Sequence, residues 1–191
     1  MLRKKILKRA NINKEQLLEL EQEIRFTLLS KPNDIDNLDR LGMILFYKRD
    51  CQGSLEIYEK LRVLGKKDSE TLGFLGYLNY ELGNYTQAIT YFNMFLDKKP
   101  GDAFVYFLLG NAYSRAGKII EAINSYDFAI FLDLDIYKAH LDFAEEYESL
   151  GRDKKALVEY IAAYEIDPRN KNIEVKINEL KKKIKDIENR G

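Results

Sequence analysis

Two glycines followed by a lysine, Gly110 and Gly117–Lys118, are the residues here that come nearest to a phosphate-binding loop. Such a loop has four residues between its glycines and a Ser or Thr after the lysine to reach Mg²⁺. Here six residues intervene, Asn111 to Ala116, and Lys118 is followed by Ile119. The chemistry fails at both ends. His140 is the only histidine and Cys51 the only cysteine, with no histidine close to Cys51 in sequence to activate it or share a metal. Glu145/Glu146 and Asp133/Asp135 are carboxylate pairs that a solvated helix face or turn explains as well as acid–base work does. No catalytic residue, metal site or cofactor is expected, and the reading is not that of an enzyme.

The elements that would hold a site are bounded by composition. The 191 residues are 46% apolar and 32% charged, with only 3 Pro and 11 Gly, which supports a packed chain with a large solvated surface. A single cysteine excludes an internal disulfide framework and suits a reducing compartment. No apolar run approaches the ~20 residues of a membrane span, and "MLRKKILKRA" lacks the apolar stretch of a secretory signal. A cytoplasmic address is the expectation. Zero net charge conceals segregation. Residues 1–34 hold 8 basic against 5 acidic groups, residues 35–168 hold 15 against 22, and residues 169–191 hold 8 against 4. The acidic middle argues against nucleic acid and suits a positively charged partner.

A 34-residue period sets the architecture. Gly42, Gly76, Gly110 and Ala144 recur at that spacing, each preceded by an apolar residue: Leu41, Leu75, Leu109 and Phe143. Ser54, Ala88, Ala122 and Ala156 keep the same period, and an aromatic follows each by four residues: Tyr58, Phe92, Tyr126 and Tyr160. The third repeat reads Tyr106-x₂-Leu109-Gly110-x₂-Tyr113, then Ala122-x₃-Tyr126 and Ala129; the second ends at Pro100 and the fourth at Pro168. These residues resemble the tetratricopeptide repeat. The resemblance implies an all-α, right-handed solenoid of helix–turn–helix repeats with terminal capping helices. Its register places four repeats at 35–68, 69–102, 103–136 and 137–170; the first lacks the turn glycine, having Arg49, and the closing proline, having Lys66.

Apolar positions 4, 7, 8 and 11 of each repeat form one helical stripe, and positions 20, 21, 24, 27 and 28 form another. In the third repeat the second stripe is Ala122, Ile123, Tyr126, Ala129 and Ile130. A glycine within a helix costs ~1 kcal/mol relative to Ala, so Gly76 and Gly110 need a packing reason. Gly83, Gly117 and Gly151 fall where a left-handed residue ends the first helix. Leu61 and Phe95 replace a small residue at position 27, which predicts a locally wider spacing. Residues 13–34, with Leu17, Leu20, Ile24 and Leu28, read as a helical half repeat. Residues 171–191, with Ile173, Ile177, Leu180, Ile184 and Ile187, read as an amphipathic capping helix. Residues 1–12 read as a frayed basic tail, and a membrane partner is not expected. His140, at a packing position, reads as a half-buried structural ring.

Positions 2, 5, 9, 12 and 13 lie on the other face of each first helix, and in tetratricopeptide proteins that stripe lines a concave groove holding a peptide. Here the groove candidates are Asp39, Met43, Tyr47, Tyr77, Tyr80, Phe104, Phe107, Asn111, Leu141 and Glu145. Aromatic rings grouped on a face left open to solvent mark a contact surface. Tyr77, Tyr80, Phe104 and Phe107 would anchor apolar groups, and Asn111 would hold ligand backbone. Asp39, Glu70, Glu81, Glu145 and Glu148 would select basic side chains. Family members that grip a C-terminal carboxylate place Lys and Asn at slots that here hold Asp39, Met43, Phe74, Phe104 and Leu108, so that mode is not expected. The expected partner is another protein or peptide, bound without catalysis; homo-oligomerisation through the groove or terminal helices is the alternative.

Overall fold

The computed structural model describes residues 2–7 and 14–189, which contain helices and connecting turns. The chain divides into two compact units, Met1–Leu132 and Asp133–Gly191. The first holds α1 (Leu2–Leu7), α2 (Lys14–Ser30), α3 (Ile35–Tyr47), α4 (Cys51–Val63), α5 (Ser69–Glu81), α6 (Tyr85–Lys98), α7 (Ala103–Arg115) and α8 (Ile119–Phe131). The second holds α9 (Ile136–Ser149), α10 (Asp153–Ile166) and α11 (Lys171–Glu188).

Local chemistry sets the helix ends. Asp34, Asp68, Asp102 and Asp135 precede α3, α5, α7 and α9, and each carboxylate accepts the backbone N–H three residues on. That satisfies one of the donors a helix start leaves unpaired. At the other end, Gly83, Gly117 and Gly151 have φ of 82°, 75° and 63°. The next residue's N–H then reaches back, as from Lys118 to the Tyr113 carbonyl at 2.9 Å. Arg49 takes the same left-handed turn at φ 69° without the glycine, at a cost of about 1–2 kcal/mol for a side chain with a Cβ.

The helical glycines do have a packing reason. A Cβ on Gly42, Gly76 or Gly110 would lie 2.6 Å from the ring of Tyr58, Phe92 or Tyr126, so each ring rests on bare backbone of the first helix. In the first hairpin the buried Ser54 hydroxyl also donates to the Gly42 carbonyl at 2.8 Å. The Phe95 ring takes its room from Gly73, where a Cβ would come within 2.9 Å of it. Leu17 and Ile24 of α2 join Leu41, Ile44 and Leu45 of α3 in one cluster. Above it, burial raises the Glu21 carboxyl pKa, but hydrogen bonds from Lys48 (2.5 Å) and Arg25 (2.8 Å) hold it below its ordinary value.

Two expectations are corrected. Ile123 and Ile130, assigned to the core stripe of α8, are 54% and 56% exposed, whereas Ile89 and Leu96 at the same positions of α6 are buried. Of the other stripe residues of α8, Ala122 and Ala129 are buried and Tyr126 is half-buried. Helical period puts all of them on neighbouring faces, but α6 lies between α5 and α7 while α8 is the last helix of its unit. Nor is the whole N-terminal segment frayed: Leu2–Leu7 is helical, with Leu2 and Ile6 almost fully buried. Residues 1 and 8–12 of that segment lie outside the described residues.

Candidate protein-interaction site

The aromatic candidates come together on α3, α5 and α7, but as packed rings and not as an open patch. Tyr77, Tyr80, Phe104 and Phe107 are all buried. Phe46 meets Tyr77 edge-on at 6.0 Å between ring centres, Tyr80 tilts against Tyr85 at 5.8 Å, and Phe104 stacks on Phe107 at 6.3 Å. Such contacts add to the burial each ring already contributes. Met43 and Tyr47 are half-buried on α3.

Part of this face is covered by the chain itself. At position 5 of the second repeat stands Gly73, and its absent Cβ would come within 2.7 Å of Leu2 Cδ2. The Arg3 guanidinium carbon lies 5.7 Å from the centre of the Phe104 ring, at position 2 of the third repeat. Thus α1 rests on the positions that the repeat pattern assigns to a ligand.

Three polar candidates, Asp39, Asn111 and Glu148, have partners within their own hairpins. The Tyr58 hydroxyl donates to Asp39 at 2.9 Å, and Lys66 pairs with the same carboxylate at 3.2 Å. Burial, with Asp39 beside it, pushes the Tyr58 phenol above its ordinary value. The Tyr126 hydroxyl donates to Asn111 Oδ1 at 2.7 Å. The Tyr160 hydroxyl donates to Glu148 at 2.8 Å. In three hairpins, then, the ring at position 24 holds a polar group of the first helix, whereas Phe92 has no hydroxyl to do so. Sequence reasoning missed these links; the signal was Tyr at three of the four positions. Asp39 also lines a polar cleft of about 290 Å³ with Tyr58, Lys66, Glu70 and Lys99.

The second unit holds the remaining candidates on α9, with Leu141 half-buried and Glu145 exposed. Glu148 also accepts from Lys176 of α11 at 2.8 Å; that hydrogen bond, with Tyr160's, lowers its pKa and raises that of Lys176. Glu148 thus pairs with a lysine of its own chain, as Asp39 does with Lys66. His140 is buried, not half-buried, with Nδ1 2.8 Å from the buried Glu159 carboxylate. On α11, Ile173, Ile177 and Leu180 are buried. Among the described residues no three His, Cys, Asp or Glu side chains are grouped to hold a metal ion. No helix there is long and apolar enough to cross a membrane.

The repeat geometry and the comparisons converge. A family model for the tetratricopeptide repeat matches residues 40–103 and 107–171, more than half of the chain. The chain belongs to the tetratricopeptide repeat family. Among solved structures it is similar to MamA from Desulfovibrio magneticus, 20% identical with a TM-score of 0.61 over 81% of this chain and 88% of that one. It is also similar to a tetratricopeptide repeat protein from Parabacteroides merdae, 19% identical with a TM-score of 0.62 over 87% and 66%. At these identities the likeness is one of fold, and it places the chain in the all-α helical-repeat class. A curated relative is the Hsp70-Hsp90 organising protein of Plasmodium falciparum, 24% identical over 119 residues, 62% of this chain and 47% of that protein. The chain spans about half the length of that relative. Tetratricopeptide repeats are protein-interaction modules, and that much describes this chain. Of the slots a carboxylate grip would use, Phe74, Phe104 and Leu108 are buried here.

Proposed function

We propose that this tetratricopeptide repeat protein is an adaptor that seats an apolar, basic peptide or helix on the face shared by α3, α5 and α7. Met43, Tyr47, Tyr77, Tyr80, Phe104 and Phe107 form the apolar lining, and Asn111 meets ligand backbone. Asp39 adds negative charge at one edge, and Leu141 and Glu145 supply a further contact surface on the second unit. The observation that carries the reading is the occupancy of this face by an aliphatic side chain on Gly73 and a guanidinium on Phe104. An apolar anchor beside a cation is the chemistry that an aromatic face in an acidic segment selects.

Affinity capture from the source cells with wild type beside a Met43→Lys/Tyr47→Lys variant tests this. Both positions are half-buried, so the variant keeps its helices while the face turns basic. Partners captured by wild type should be lost; retention of all of them defeats the reading. A second reading is self-association, favoured by the outward side of α8, where Ile120 and Phe131 are 74% and 81% exposed. Sedimentation equilibrium separates the two, since a dimer dispersed by Ile120→Lys/Phe131→Lys supports self-association.

A further inference from the structure

We propose that the seat on α5 and α7 takes a short basic amphipathic helix with two apolar residues four positions apart. In this proposal α1 is the chain's own tethered occupant of that seat, and a partner helix must displace it. The inference rests on the reading above that this face is where partners bind. Leu2 and Ile6, spaced i and i+4 on one side of α1, are 2% and 1% exposed. A six-residue helix does not hold itself together in water, so the seat stabilises α1 and the sequence of α1 reports what the seat selects.

Position 5 is Asp39, Phe107 and Leu141 in the other repeats; only at Gly73 does bare backbone leave a notch, and Leu2 Cδ2 lies against it. Arg3 stands over Phe104 in a cation–π contact. Charge points the same way. Residues 1–13 carry five Lys and Arg and no Asp or Glu, while residues 35–168 carry 22 acidic against 15 basic groups. The apolar gain from two anchors is offset by the ordering of six residues, which leaves a narrow margin that a competing helix overcomes.

The tether makes that competition measurable. Residues 8–13 join α1 to α2, and so short a link holds an occupant at an effective concentration in the mM range. Against a dissociation constant on the order of 0.1 mM, a tethered competitor weakens binding of an external helix by about tenfold. The probe is a fluorescein-labelled peptide of residues 1–13, titrated by anisotropy into the full wild-type chain and the full chain carrying Leu2→Ser/Ile6→Ser. The peptide should bind the variant about tenfold more tightly than wild type, and a peptide carrying the same two serines should bind neither.

Equal affinity for the two chains overturns the proposal. So does absence of binding to a folded variant, or equal binding of the serine peptide, which would mean charge attraction alone. A wild-type dimer that the variant dissociates also overturns it, because the occupant would then come from a second copy. If the variant does not fold, hydrogen exchange on wild type decides: the amides of Ile6 and Leu7, at the end of α1, should open at least a hundredfold more readily than those of α5, and equal protection makes α1 an integral part of the fold. Failure here leaves the adaptor reading standing if Met43→Lys/Tyr47→Lys still removes captured partners; retention of those partners defeats that reading whatever the peptide does.

Discussion

Positions 2, 5, 9 and 12 of the repeat read differently in the two units. On α5 and α7 they include Gly73, Tyr77, Tyr80, Phe104 and Phe107, all buried, with α1 against the second repeat. On α9 they are Lys138, Leu141, Glu145 and Glu148, none of them buried. The backbone is the same hairpin, capped by aspartate and turned at a left-handed residue. What differs is whether the face opposite the core is apolar enough to demand a cover. A repeat therefore fixes where a contact surface lies and leaves its chemistry to the residues placed there.

The strongest test of that contrast is at position 5. Phe107→Ala should destabilise the chain by about 3–5 kcal/mol, because it empties a fully buried ring site. Leu141→Ala, half-buried, should cost about 1 kcal/mol. Urea unfolding midpoints compare them, and equal losses would remove the distinction between a closed and an open face. A smaller effect of opposite sign is expected at the turns, where Arg49 does without strain relief what Gly151 does freely. Arg49→Gly should stabilise by about 0.5–1 kcal/mol, because relief of the left-handed side chain outweighs the unfolded-state entropy that glycine adds against folding. A lowered melting temperature would show that the arginine side chain matters more than its backbone strain.

The smallest effect belongs to the open face. Glu148 has a folded pKa below its ordinary value of 4.5, so its stabilisation is present above that value and is lost as pH falls through the folded value. Its side chain and that of Lys176 are 31% and 44% exposed, so screening keeps the contribution under about 1 kcal/mol. Glu148→Gln should lower stability at pH 7, and its gap from wild type should close as pH falls below 4.5 and through the lowered folded value. A constant gap across that range would mean that the Lys176 pairing does not contribute through charge.

Much of the hairpin framework was legible in the residues. The 34-residue spacing of Gly42, Gly76 and Gly110 marked where rings pack on backbone, and Gly83, Gly117 and Gly151 marked the turns. Arg49 was marked as a missing glycine, yet the chain turns there all the same, because the surrounding hairpin outweighs the preference of one residue. The candidate site was less legible. Periodicity places Tyr77 and Phe107 on the face away from the hairpin core, but their burial depends on Phe46 and Tyr126 from neighbouring helices. Asp39 and Asn111 looked free because the tyrosines that hold them lie 19 and 15 residues away.

The sequence by itself determined the helices, their caps, their turns and the side each presents to its hairpin partner. Those follow from contacts within a few residues and from a period repeated four times. Only the tertiary structure decided that Leu2 lies on Gly73, that tyrosine hydroxyls occupy Asp39, Asn111 and Glu148, and that α8 leaves Ile123 and Ile130 exposed. The reason is that burial belongs to pairs of surfaces. A residue's own helix states which way it points, and only the element arriving from elsewhere in the chain states what it meets.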